Sequence, residues 1–110
     1  MDTLILRAKM LRKWRKWIPK VVETIKQLLP DAEIYIIGSI AREEAIAASD
    51  LDLLVISQKI PEKPLERAKL VATIEERAKL PLYHPVEFHL IKPKDKQAYL
   101  KRNPEHIKLS

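Results

Sequence analysis

Gly38 and Ser39 close a run of β-branched and aromatic residues, Glu33 to Ile37, and precede a stretch rich in Ala and Glu. A strand ending on the chain's one glycine, followed by a helix start, makes a turn where backbone approaches an anion closely, because glycine has no Cβ and the first helical N–H groups are unpaired. The same pair also reads as an ordinary strand-to-helix turn with Ser39 as N-cap. Asp50 and Asp52 frame the next apolar run. Strand alternation puts both carboxylates on one face and Leu51, Leu53 and Val55 on the other. Like charges held this close, beside apolar neighbours, either take up a cation or force one group to resist ionisation. Oxygen donors without cysteine favour a hard cation such as Mg²⁺ over zinc. Glu87 and His89 repeat the pattern on a third run, Val86 to Ile91. If that strand neighbours the Asp50 strand, three carboxylates form a metal-binding triad, the arrangement that clamps the attacking and leaving oxygens of a displacement at phosphorus. His89 reads as a structural hydrogen-bonding residue rather than a general base.

The elements that must position these residues follow from periodicity. Leu4, Ala8, Leu11, Trp14, Ile18, Val22, Ile25 and Leu29 recur at helical spacing, which predicts a long amphipathic helix from Thr3 to Leu29, with a kink or a junction of two helices at Pro19. Its other face carries Arg7, Lys9, Arg12, Lys13, Arg15, Lys16 and Lys20, a stripe that either touches phosphate or is solvated. Strands are predicted at Glu33 to Ile37, Leu51 to Ser57 and Val86 to Ile91. Helices are predicted at Ile40 to Ala48, Leu65 to Lys79 and about Asp95 to Lys101. Alternating helices and strands imply an α+β fold, a small mixed β-sheet flanked by helices, forming one domain over residues 1–110.

Composition narrows the classes. With 46% hydrophobic residues the chain can bury a core, and intrinsic disorder is not expected. The absence of cysteine excludes disulfides and thiolate metal sites and fits a reducing compartment. No stretch approaches the roughly 18 apolar residues of a membrane span, so a cytoplasmic protein is expected. A net charge of +6 favours polyanionic partners such as nucleotides, nucleic acids or acidic proteins.

Gly38-Ser39, ten intervening residues and then Asp50-Leu51-Asp52 resemble the signature of the DNA polymerase β-like nucleotidyltransferase superfamily. The stretch GSIAREEAIAASDLDLLV is most similar to its minimal nucleotidyltransferase family. That resemblance implies the polymerase-β-like fold and transfer of a nucleoside monophosphate from a nucleoside triphosphate, ATP above all, with two Mg²⁺ ions and release of pyrophosphate. It assigns Gly38, Ser39 and Arg42 to the nucleotide, and Asp50, Asp52 and Glu87 to metal binding and catalysis. Arg42 would contact phosphate or brace the loop through Asp50 or Glu44. The chain departs from the pattern at Glu43, where minimal members usually carry a second glycine and an acidic group would repel triphosphate, and at Glu87, where aspartate is common.

The acceptor is then expected to be a hydroxyl, on a partner protein or a small molecule. Minimal nucleotidyltransferases resemble the antitoxin halves of toxin–antitoxin pairs, whose partner is a small helical RNase-like protein. A catalytically weak antitoxin or binding module, or a basic nucleic-acid-binding domain led by the Arg7 to Lys20 stripe, are the alternatives. The chain leaves little length for a substrate-selecting domain, so specificity is expected from a protein partner or a homo-oligomer. Trp14 and Trp17 either widen an apolar interface or pack into the core.

Overall fold

The computed structural model describes residues 2–110. Helix α1 spans Thr3–Arg12 and α2 spans Trp14–Leu28, so the predicted long helix is interrupted at Lys13 rather than at Pro19. The Lys13 N–H turns back to the Met10 carbonyl, and the Trp17 indole N–H donates to the same oxygen at 2.8 Å, satisfying the end of α1. Pro19 lies within α2 on its exposed side, where water can reach the carbonyl that its ring leaves unpaired.

Strands β1 (Glu33–Ile37), β2 (Leu51–Ile56), β3 (Val86–Ile91) and β4 (Ile107–Lys108) form one mixed sheet in the order β3-β2-β1-β4. β1 is antiparallel to β2 and β4, whereas β2 and β3 run parallel. One sheet face carries Ile34, Ile36, Leu51, Leu53, Val55, Val86 and Leu90. It packs on Leu11, Trp14, Ile18, Val21 and Ile25 of the first two helices and on Ile74 of α4 (Pro64–Arg77). With Trp14 buried and the Trp17 N–H bonded, the tryptophans belong to the core; among the described residues the large apolar side chains left exposed are Leu4, Ile5, Ile46, Leu65 and Leu82. The opposite face is divided. Tyr35, Ile37, Leu54, Ile56 and Ile91 pack against Tyr99 and Leu100 of α5 (Lys96–Arg102), which follows a 3-10 turn at Pro93–Asp95. Toward the starts of β2 and β3 that face carries Asp52, Glu87 and His89 and opens into a cleft.

Two helix ends explain where propensity fails. The predicted helix Ile40 to Ala48 is realised only as α3, Gly38–Ala41. Glu43 takes φ 58°, its N–H donates to Ile40 and the Glu44 N–H to Ser39, which is a Schellman stop. Lys79, at φ 57°, ends α4 in the same way through Glu76 and Glu75. Both positions favour glycine, yet the chain's one glycine is elsewhere.

The outer edge of β3 is not bare. The Val86 N–H donates to His84 Nδ1 at 3.0 Å, and the Arg67 guanidinium donates to the Leu90 carbonyl. Among the described residues, no helix is long and apolar enough to cross a membrane.

Asp31 ties the turn before β1 to the end of β2. Its carboxylate accepts the hydroxyl of the fully buried Ser57 at 2.6 Å and the Gln58 N–H at 2.9 Å. The Ser57 bond, then the Gln58 bond, hold this carboxyl below its ordinary value. A depressed carboxyl stabilises the fold above its unfolded-state pKa of 3.8 and loses that contribution as pH falls through the lower folded value. Denaturant melts should therefore show Asp31→Asn weaker than the parent near pH 6, with the gap closing below about pH 3. A gap independent of pH would contradict this.

Candidate active site

Strand register assembles the site. β1 on β2 pairs Ile37 with Asp52, so the turn at Gly38 begins beside that carboxylate. β2 on β3 pairs Asp52 with Glu87 and Leu54 with His89, placing three ligating side chains on one face. One donor atom from each of Asp52, Glu87 and His89 lies within 4.8 Å of the others. His89 Nε2 is 2.9 Å from Asp52 Oδ1; an ionised carboxylate can only accept, so the imidazole donates and fixes the carboxylate's rotation.

Asp50 lies apart from this trio. It stands one residue ahead of β2, exposed, with Oδ1 paired to Arg7 Nη2 of α1. Arg7 Nη1 also donates to the Ser49 carbonyl at 3.0 Å, so this member of the basic stripe clamps a loop instead of facing solvent. The structure thus joins two of the three predicted carboxylates with His89 and gives the third an internal cation.

The carboxyl that resists ionisation is Glu87. Partial desolvation raises it first, although the residue is exposed; the charges of Asp52 and Asp50 add to the rise and His89 opposes it. The two carboxylates at this spacing, with His89 holding Asp52 in place, fit a hard divalent cation of the Mg²⁺ or Mn²⁺ kind.

Gly38 has φ 74°, and a Cβ there would run into the Asp52 side chain, with Cγ only 3.1 Å away and Oδ2 closer still. Ser39 follows, half-buried in the first turn of α3. Arg42 pairs with Glu44 at 3.1 Å, not with Asp50. A cleft of about 360 Å³ is lined by Gly38, Asp52, His89, Tyr99, Arg102 and Asn103. An adjoining hollow of about 200 Å³ brings in Arg42 and Glu44 beside the same Gly38, Arg102 and Asn103. Arg102, whose guanidinium stacks 4.7 Å over the Tyr99 ring, was not foreseen; nothing in the spacing of a charged tail singles it out.

Glu43 lines neither concavity. It borders a groove with Ala8, Leu11 and Trp14, so its departure from the glycine pattern is conformational rather than a charge placed against phosphate. Left-handed backbone costs a non-glycine residue about 1–2 kcal/mol, partly offset by the chain entropy glycine loses. Glu43→Gly should therefore stabilise the fold by roughly 0.5–1 kcal/mol in urea melts and leave nucleotide affinity unchanged.

The family model for the nucleotidyltransferase domain matches residues 18–108, and the chain belongs to that family. It is an enzyme of nucleotidyl transfer, as the Gly-Ser and Asp-Leu-Asp spacing anticipated. A candidate nucleotidyltransferase from Sulfolobus solfataricus has a similar fold, with TM-score 0.59 and 21% identity over 98% of this chain and 86% of that one. A second candidate nucleotidyltransferase gives TM-score 0.60 and 23% identity over 84% of this chain and 97% of that one. A toxin–antitoxin structure with AMP-PNP gives TM-score 0.57 and 17% identity over 84% of this chain and 71% of that one. No curated protein matches the sequence.

Proposed function

We propose that residues 1–110 act as one catalytic domain that transfers AMP from ATP to a hydroxyl on a partner protein, in the manner of an antitoxin acting on its toxin. The observation that carries this reading is the convergence of Asp52, Glu87 and His89 beside the Gly38 turn. The fold similarity to a toxin–antitoxin pair with AMP-PNP supports both the nucleotide and the partner. In the reaction the acceptor oxygen bonds to the α-phosphorus, loses its proton, and the bond to the β-phosphate oxygen breaks to release pyrophosphate.

Gly38 and Ser39 admit the triphosphate to the backbone, and Arg42 and Arg102 flank it from two sides of the joined hollows. Asp52, Glu87 and Asp50 would hold Mg²⁺, with His89 keeping Asp52 in place. Bound there, the metal would neutralise charge on the phosphates and acidify the acceptor hydroxyl. Glu87 serves the acceptor end rather than the triphosphate. Accordingly, Glu87→Gln should keep affinity for a non-hydrolysable ATP analogue by calorimetry yet lose transfer of label from α-labelled ATP to the partner. Parental turnover in that variant would remove Glu87 from the mechanism, and transfer by the parent to no acceptor would overturn the reading as a whole.

A further inference from the structure

The stripe of positive charge on α1 is not explained by nucleotide transfer, and one of its members touches the site. Arg7 reaches across 43 residues to Asp50, donating through Nη2 to Oδ1 and through Nη1 to the Ser49 carbonyl at 3.0 Å and the Ala48 carbonyl at 3.4 Å. Residues 3–12 lie ahead of the 18–108 span that the family model matches.

α1 is lightly held otherwise. Leu11 is its only buried residue, Leu4 is 67% exposed, and Ile5 is 49% exposed. It meets α2 at Lys13, a single non-helical residue with φ −104° and ψ 23°. Its ties to α2 are confined to its last turn, through Leu11 and the Trp17 bond to Met10, whereas the inner face of α2 is anchored by Trp14, Ile18, Val21 and Ile25. The guanidinium of Arg7 and a divalent cation satisfy the same need, the charge of a carboxylate with Asp52 and Glu87 nearby. Arg7 and a metal ion drawn to Asp50 therefore compete for the charge of one carboxylate.

We propose that Arg7 is a tethered placeholder cation, so that loading of the metal site and release of α1 are one equilibrium. This inference rests on the metal reading of the site given above. Arg7 keeps Asp50 ordered and neutralised while the site is empty of metal, and yields the carboxylate when a free cation binds. Because the two occupants compete, the tether weakens apparent metal affinity by the stability of the closed form. Equally, anything that draws α1 away from the 48–50 loop tightens metal binding by the same factor.

The test is hydrogen exchange of the α1 amides, followed by mass spectrometry, with and without Mn²⁺ as the probe cation, together with Mn²⁺ affinity from the loss of its free-ion paramagnetic signal. In the parent, saturating Mn²⁺ should speed exchange across residues 3–12. In Arg7→Ala that segment should exchange fast from the outset, be indifferent to Mn²⁺, and accompany Mn²⁺ affinity tightened by roughly three- to tenfold, the scale of one partly exposed ion pair plus the removal of a nearby positive charge. Asp50→Asn should free α1 as well but weaken Mn²⁺ binding, which separates release of the helix from capture of the metal. If Arg7→Ala binds Mn²⁺ equally or more weakly, or if Mn²⁺ binds the parent without altering α1 exchange, the competition is disproved while the metal site stands. Failure of the parent to bind Mn²⁺ at all overturns both.

Discussion

Asp52→Asn is expected to reduce nucleotidyl transfer by roughly a thousandfold or more, about 4 kcal/mol of transition-state stabilisation, without unfolding the protein. Asp52 is the one carboxylate that every part of the site meets: Gly38 lies against it, His89 donates to it at 2.9 Å, and Glu87 is its register partner on β3. An amide has nearly the same shape and still accepts the His89 bond, so the backbone has no reason to move. What disappears is charge. In the absence of metal, removing one negative group beside Glu87 offsets the poorer hydrogen bond, and stability should stay within about 0.5 kcal/mol of the parent. Rates of label transfer from α-labelled ATP, read beside urea melts, check both halves. Activity within tenfold of the parent would displace Asp52 from the centre of the mechanism.

Gly38→Ala should be almost as damaging, though it removes no functional group. The added methyl must either occupy the space of the Asp52 carboxylate or drive that carboxylate off His89, and a misplacement of about 1 Å at a reacting centre can cost a hundredfold in rate. The left-handed φ of 74° adds a backbone cost of about 1–2 kcal/mol, which should lower the melting temperature by about 5–15 °C. Conformation alone does not demand glycine here, since Glu43 and Lys79 take equally left-handed φ values with full side chains. The contact with Asp52 does. If the variant melts lower but transfers label at the parental rate, the turn is structural and the close approach to Asp52 has no catalytic meaning.

The three long strands and the Gly38 turn were legible in the sequence because β-branched runs bounded by Pro and Gly leave few other readings. Which strands pair is a different kind of information. That Asp52 faces Glu87 depends on a parallel register between segments 35 residues apart, and only the assembled sheet supplies it. The separation of Asp50 was hidden for a related reason: alternation places it with Asp52, but β2 begins at Leu51 and the charge on Asp50 is met by an arginine from the first helix. Propensity over-extended the helix after Gly38 because Ala and Glu favour helix locally, whereas Glu43 adopts the left-handed stop. β4 has two residues, too few to show a period, and it is held by pairing with Tyr35 and Ile36 of β1.

The bonds at the rim of β3 bear on how the protein keeps company. In that strand Val86, Phe88 and Leu90 alternate with residues bonded to β2 and so turn their backbone outward, where an unguarded row of N–H and C=O groups would invite a foreign strand to add itself. His84 takes the first of those groups and Arg67 the last, leaving a gap too short to seat a ladder. The far rim ends in a two-residue strand carrying Lys108, whose charge makes a poor template for further pairing. The sheet is thereby closed to growth from both sides, which guards it against fibrous self-association. Any companion would then have to dock side chain to side chain on helices and loops rather than by adding a strand.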